Sequence, residues 1–186
     1  MSEKEKMISG QEYQPFGEEL TNERKKAKIL CMQYNSLLPN EEVKKQEILK
    51  QLLGNAGTNS VIEPNFFCDY GYNIELDGFV YINHNSVFLD CAKIKIGENT
   101  FIGPNCGLYT AIHPLDAKKR IQGIESAKPI TIGKEVWLGG NVTILPGVTI
   151  GDRAVIGAGS VVVKDIPSDV VAVGNPCKVI KQISNQ

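Results

Sequence analysis

The sequence is poor in the residues that metal and redox chemistry draw on. It holds only two histidines, His84 and His113, and one tryptophan, Trp137. Its five cysteines, Cys31, Cys68, Cys91, Cys106 and Cys177, are odd in number and never spaced as CxxC. That pattern gives no zinc-ribbon spacing and no even disulfide framework. It reads as reduced thiols in a cytoplasm, used as small core residues. No apolar run approaches the ~20 residues of a membrane-spanning helix. The charged opening MSEKEKMISG lacks the apolar segment of a secretion signal. A formal net charge of -1 offers no basic excess for nucleic acid or an anionic membrane. The expectation is a cytoplasmic protein that needs no metal, with 186 residues forming one unit with a sizeable core.

What the sequence has in quantity is a repeat. Ile132, Leu138, Ile144, Ile150, Ile156 and Val162 fall six apart, and glycine follows four of them at Gly133, Gly139, Gly151 and Gly157. Two residues before each stands another apolar or small residue: Ile130, Val136, Val142, Val148, Ala154 and Ser160. Neither the helical period of 3.6 nor the strand period of 2 produces a clean six. A triangular coil of short parallel strands does, with one inward aliphatic per face and a tight turn at each corner. Upstream, Leu76, Ile82, Phe88 and Ile94 keep the same spacing before the phase slips by two to Ile96, Ile102 and Leu108. Leu108 and Ile132 are in phase across an interruption from Tyr109 to Pro129. That stretch reads as a loop thrown out from one corner while the coil continues, and long loops in compact repeats usually carry function.

Residues 1–55 are rich in Lys, Glu, Leu and Gln and read as a helical cap on an open solenoid end. Thr21 is the expected cap of a helix running to about Leu37. Pro39 and Asn40 are expected to start a second helix, which Gly54 stops. Residues 56–186 are expected to form the coil, with its loop at about 109–129. A last strand through Val170, Val171 and Val173 is then followed by the basic tail CKVIKQ.

These features, taken with particular segments, resemble the hexapeptide-repeat acyltransferases and, within them, the maltose and galactoside O-acetyltransferases and their nodulation-protein relatives. The segments are EKEKMISGQEY, EPNFFCDYGYNI, YINHN, VFLD and YTAIHPLD, followed by the repeats from Lys128 to Pro167 and by GNPCKVIK. DYGYN and TAIHP are closer to the maltose type. The resemblance implies a mainly β fold, a left-handed parallel β-helix with a helical cap, working as a homotrimer with sites between subunits. It implies transfer of acetyl from acetyl-CoA to a sugar hydroxyl. His113 would be the general base, since an imidazole ordinarily titrates near neutral pH, and Asn83 would bind the acceptor or the developing oxyanion. Asp69, Tyr81 and Asp90 would line the acceptor pocket. Trp137, Gly139 and Gly140 match the pantetheine path, with the Gly140 N–H a candidate oxyanion donor. Ala158, Gly159, Val163 and Lys164 would continue that path. Lys178 and Lys181 would meet the cofactor phosphates as point charges.

Two places depart from the family pattern. Cys91 stands where galactoside-type members carry a second acidic residue. Pro15-Phe16-Gly17 stands where an acidic contact is expected, with Glu18 and Glu19 just beyond. Alternative readings are a non-sugar acceptor such as serine or an antibiotic, and a non-catalytic scaffold. A zinc hydratase of this fold needs three histidines at its metal, which two do not supply. No Ser or Cys has an adjacent base, so direct transfer is favoured over an acyl-enzyme. The repeat itself makes a prediction. Each buried aliphatic contributes about 1.5–3 kcal/mol, so Ile150→Asp should markedly lower the thermal midpoint. An unmoved midpoint would place Ile150 outside the core.

Overall fold

The six-residue period becomes three flat faces in the computed structural model, which describes residues 1–184. The last two residues of the expected coil and tail unit, 185–186, lie outside the described residues. One face stacks Val61–Ile62, Val80–Ile82, Thr100–Ile102, Trp137–Leu138, Val155–Ile156 and Val170–Val173 in parallel. The second stacks Ile74–Leu76, Ile94–Ile96, Ile130–Ile132 and Thr149–Ile150. The third stacks Phe67–Cys68, Val87–Leu89, Gly107–Tyr109, Thr143–Ile144 and Val161–Val162. Together they make a left-handed parallel β-helix of about six coils with helices at its N-terminal end. Residues i and i+2 of a strand point the same way, so Ile130 and Ile132 are both buried while Thr131 between them is exposed. The core is one column of such pairs running the length of the solenoid.

The slip of two residues has a structural meaning. Cys68, Phe88, Leu108 and Ile144 stack on one face, and Leu76, Ile96, Ile132 and Ile150 on the next. Ile144 reaches Ile150 in six residues, whereas Cys68 to Leu76 and Phe88 to Ile96 each take eight, and Leu108 to Ile132 takes twenty-four. The same corner is therefore enlarged in three successive coils, and the long loop is the last of these enlargements.

Corners elsewhere are tight. Asn65, Asn85, Asn105 and Asn141 have φ of 66°, 62°, 59° and 58°, the left-handed region that Asn tolerates better than most residues. The side chains of the first three form a ladder, Asn65 Nδ2 donating to Asn85 Oδ1 at 3.0 Å and Asn85 Nδ2 to Asn105 Oδ1 at 3.1 Å.

The N-terminal helices are α1 (Glu3–Ile8), α2 (Glu18–Asn35) and α3 (Glu42–Leu52). The first was not expected; Ser2 and Glu5 begin it with a reciprocal capping box. Thr21 is not a cap. It lies within the first turn of α2, its N–H bonded to Gly17 O at 3.0 Å, and Gly17 is the N-cap ahead of Glu18 and Glu19, where two negative charges suit the helix dipole. That helix ends at Asn35 rather than Leu37. The next starts at Glu42, not at Pro39 and Asn40, because the Glu41 carboxylate turns back to accept the Leu38 N–H at 2.9 Å. Gly54 follows its C-cap, Leu53. A Cβ on Gly54 would sit 2.3 Å from Tyr72 O, so close approach of the chains requires glycine there. Helix α2 buries Ala27, Leu30, Cys31 and Tyr34 against the first coil. All five cysteines are buried and free.

At the far end, Lys178–Gln182 reverses and pairs antiparallel with Val170–Val173. The corner geometry predicts that Asn85→Ala costs about 1–2 kcal/mol, from the left-handed backbone and two lost ladder bonds. Asn85→Gly should recover the backbone part. Thermal midpoints of the two variants compare these contributions directly.

Candidate functional site

The long loop leaves the enlarged corner as a short antiparallel ribbon. Ala111–Ile112 pairs with Ser126–Ala127, and Lys128 N–H closes the neck on Thr110 O at 3.0 Å. Helix α4 (Ala117–Ile121) at its tip is capped by the Asp116 side chain, which accepts from the N–H groups of Lys118 and Lys119. His113 follows the outgoing strand, its side chain 56% exposed. Across the ribbon, Glu125 brings Oε1 to 3.9 Å from His113 Nδ1. Its other oxygen accepts from Tyr13 Oη at 2.8 Å, and Tyr13 and Glu125 also exchange backbone hydrogen bonds at 2.9 and 3.1 Å. The N-terminal segment thus clips the loop to the body. Met7, Tyr13, Leu20, Tyr70, Cys91, Ala92 and Ala127 form a second, local core beneath it.

A cavity of about 270 Å³ opens beside His113, lined by Pro15, Phe16, Arg24, Lys28, Asp69, Tyr70, Cys91 and Glu125 among others. Both departures from the family pattern, Pro15 and Cys91, therefore face this cavity. Arg24 ties its walls together, donating to Tyr70 Oη and to Pro15 O, each at 2.6 Å. Burial pushes the Asp69 carboxyl above the ordinary carboxylate range, opposed by the Cys91 thiol, whose Sγ lies 3.6 Å from Asp69 Oδ2. Burial likewise raises the Cys91 thiol to about 12.

The other expected acceptor residues sit elsewhere. Asp90 is fully buried and does not line the cavity. Its carboxylate accepts backbone N–H groups of the enlarged corner, and burial pushes its pKa up to about 7 against the pull of those bonds. In the single chain Asp90 therefore offers no surface to an acceptor in this cavity. Tyr81 and Asn83 belong to the first face and its corner. Tyr81 Oη donates to Glu63 Oε1 at 3.2 Å, and Asn83 Oδ1 accepts from His84 N–H at 2.8 Å. Neither lines the His113 cavity, so one chain does not bring Asn83 to His113.

The expected cofactor residues occupy the later coils. Trp137 is 57% exposed and stands in register between Phe101 and Val155. Gly139 and Gly140 turn the next corner, with Ala158 and Gly159 one coil above. The two glycines differ. A Cβ on Gly139 would meet Ala158 N at 2.6 Å, so stacking alone demands glycine. On Gly140 the nearest atoms are those of Pro104 at 3.4 Å, an ordinary contact. Gly140 O accepts from Gly159 N–H at 2.9 Å, while among the described residues its own N–H has no backbone acceptor. Val163 and Lys164 are exposed and follow the third face, on the same corner as the loop but two coils further on. Lys178 and Lys181 are exposed on the terminal antiparallel strand. Among the described residues no group of three His, Cys, Asp or Glu side chains could hold a metal.

Known proteins share this fold. Residues 6–57 match the maltose acetyltransferase hexapeptide capping motif, and 93–113 and 129–164 match hexapeptide-repeat transferase families. The crystal structure of a maltose O-acetyltransferase from Clostridium difficile 630 superposes with a TM-score of 0.98 at 51% identity, covering 100% of this chain and 99% of that one. The chain belongs to the maltose and galactoside O-acetyltransferase family. A Saccharomyces cerevisiae protein named as a candidate acetyltransferase is 50% identical across 98% of this chain and 93% of its own length. A hexapeptide-repeat acetyltransferase from Vibrio cholerae O1, solved with acetyl coenzyme A, is 38% identical with a TM-score of 0.93 and full coverage of both chains. This member of the family is an acetyltransferase of the maltose O-acetyltransferase type.

Glu125 and Tyr13 were not expected from the sequence. Only pairing the loop's two ends into a ribbon, with Thr110 opposite Lys128, would have set Glu125 against His113. The glycine geometry predicts opposite outcomes for neighbours. Gly139→Ala should lower the thermal midpoint by several degrees, whereas Gly140→Ala should leave it within about one degree, because only the first places a Cβ inside backbone contact distance. Differential scanning fluorimetry reads both.

Proposed function

We propose that the protein transfers acetyl from acetyl-CoA directly to a hydroxyl of a maltose- or glucose-like sugar. The observation that carries this reading is the cavity at the enlarged corner, where His113 stands with Asp69 and Glu125 in a space of about 270 Å³, suited to a small polar acceptor. Sugars are held by several hydroxyl-matching groups, and leaving one unpaired is costly. His113 takes the hydroxyl proton, and the oxygen attacks the thioester carbonyl. The Gly140 N–H and Asn83 stabilise the tetrahedral oxyanion. The C–S bond breaks, and the CoA thiolate takes the proton back from the imidazolium. Glu125, clipped by Tyr13, orients the imidazole. The 3.9 Å separation is of the kind that tightens when substrate binds.

In this reading the active unit is a cytoplasmic homotrimer. Asn83 and the cofactor residues of one subunit complete the His113 pocket of another. The outward ladder of Val61, Tyr81, Phe101, Trp137, Val155 and Val171 on the first face supports this. It leaves Phe101 48% and Trp137 57% exposed for a neighbour or the pantetheine arm to cover. Trp137, Gly139, Gly140, Ala158, Gly159, Val163 and Lys164 line that arm, and Lys178 and Lys181 face its phosphates.

The test is CoA-thiol release with maltose, glucose, galactosides, glucosamine, serine and chloramphenicol supplied separately. Sugar-dependent release that falls at least about a hundredfold in His113→Ala is expected. Glu125→Gln should lose about tenfold or more. Double-reciprocal plots should intersect, and parallel lines would instead require an acyl-enzyme. Release only with serine or chloramphenicol would move the acceptor class. Release that survives His113→Ala would remove the base.

A further inference from the structure

Asp90 is fully buried, yet every part of its polar end is engaged by one short stretch of chain. Oδ1 accepts the N–H of Asp69 at 3.0 Å and of Tyr70 at 2.8 Å. Oδ2 accepts the N–H of Asn73 at 3.3 Å, and the Asn73 amide donates back to Asp90 O at 2.7 Å. Residues 69–73 make up the first coil's corner, two residues longer than a tight one, and Asp90 opens the equivalent enlarged corner one coil above. A corner with surplus chain has no sheet register to hold it. Here one buried side chain replaces that register. The element so held ends in the Asp69 carboxylate, which lines the cavity with His113 and has the Cys91 thiol at Oδ2.

The chemistry of the partners decides the residue type. Three convergent N–H donors want an acceptor with two oxygens, and only a carboxylate presents acceptors on both. Asparagine would turn an NH2 group toward one of them.

We propose that Asp90 is the positioning residue of the acceptor pocket: it holds corner 69–73 in the shape that presents Asp69 to the acceptor's hydroxyls, and touches no ligand itself. The inference rests on the acceptor reading given above. It names Asp69 as the group that accepts the sugar's hydroxyl donors, and Asp90 as acting on the acceptor only through it.

The experiment is a double-mutant cycle with Asp90→Asn, Asp69→Asn and the pair, measuring KM separately for acceptor and acetyl-CoA together with the thermal midpoint. Each single variant should raise the acceptor KM about tenfold or more and leave the acetyl-CoA KM within about twofold. The pair should be no worse than about twofold beyond Asp69→Asn alone. Additive losses, an equal rise in both KM values, or a lowered midpoint with unchanged KM would each overturn the proposal. If Asp90→Asn does not fold, Asn73→Ala enters the same cycle, since it removes only the donor to Asp90 O. A ligand-free crystal structure of the variant decides independently of activity. The Asp69 carboxylate should be displaced from its place beside His113 while the three faces stay fixed, and an unmoved Asp69 overturns the proposal. Wild type that uses no sugar would refute the acceptor reading by itself, leaving the structural comparison to judge Asp90.

Discussion

Every coil of this molecule must come back to a point one strand spacing above where it started. The parallel backbone bonds that join coil to coil hold only if residue stacks on residue, as Ile94 does on Ile130 and Leu108 on Ile144. That constraint leaves the faces almost no freedom. It dictates inward pairs of aliphatic residues, left-handed Asn at Asn85 and Asn105, and a glycine where a corner of one coil meets the backbone of the next, as at Gly139. Surplus residues can be accommodated only at corners, because a single insertion within a strand would turn its buried side chains outward.

The proposed chemistry is built from that one permitted freedom. The same corner is enlarged in three successive coils: first to carry Asp69, then Cys91, then the ribbon with His113 and Glu125. None of these insertions joins the stacked sheets of the coil, so each is held by other means. Asp90 engages the first. Thr110 supports the second, its hydroxyl accepting the Ala92 N–H at 2.9 Å. The N-terminal segment clips the third through Tyr13, with a local core under all of them. The helical cap therefore has two jobs. Helices α2 and α3 close the open end of the coil, while Pro15 and Phe16 of the strap, with Arg24 and Lys28 of α2, build one wall of the cavity.

How much of this the sequence carried follows from which interactions are periodic. The faces were legible because each inward residue repeats at a fixed interval, so the loop could be located as the place where the interval breaks. The two-residue slip was visible but its meaning was not, since only stacking Cys68 on Phe88 shows that it is an enlarged corner. Helix boundaries were missed at two places: Gly17 caps in place of Thr21 with no side-chain bond to announce it, and Glu41 turns back on Leu38. Asp90 and Asp69 look alike as letters. Their separation into a buried scaffold and a cavity wall depends on three backbone N–H groups that no pattern of side chains announces. Glu125 and Tyr13, 112 residues apart in the chain, meet only once the loop has folded.

The last strand, Lys178–Gln182, runs against the direction of every other strand on its face. A solenoid that ended on a parallel coil would offer the next molecule a template identical in hydrogen-bond spacing to its own interior, an invitation to grow end on end into a fibre. Reversal removes the match, since a parallel ladder and an antiparallel one place their donors at different intervals. The lysines on this strand add like charge against any second copy approaching end on. On this face the reversed strand takes the place where a further parallel coil would stack.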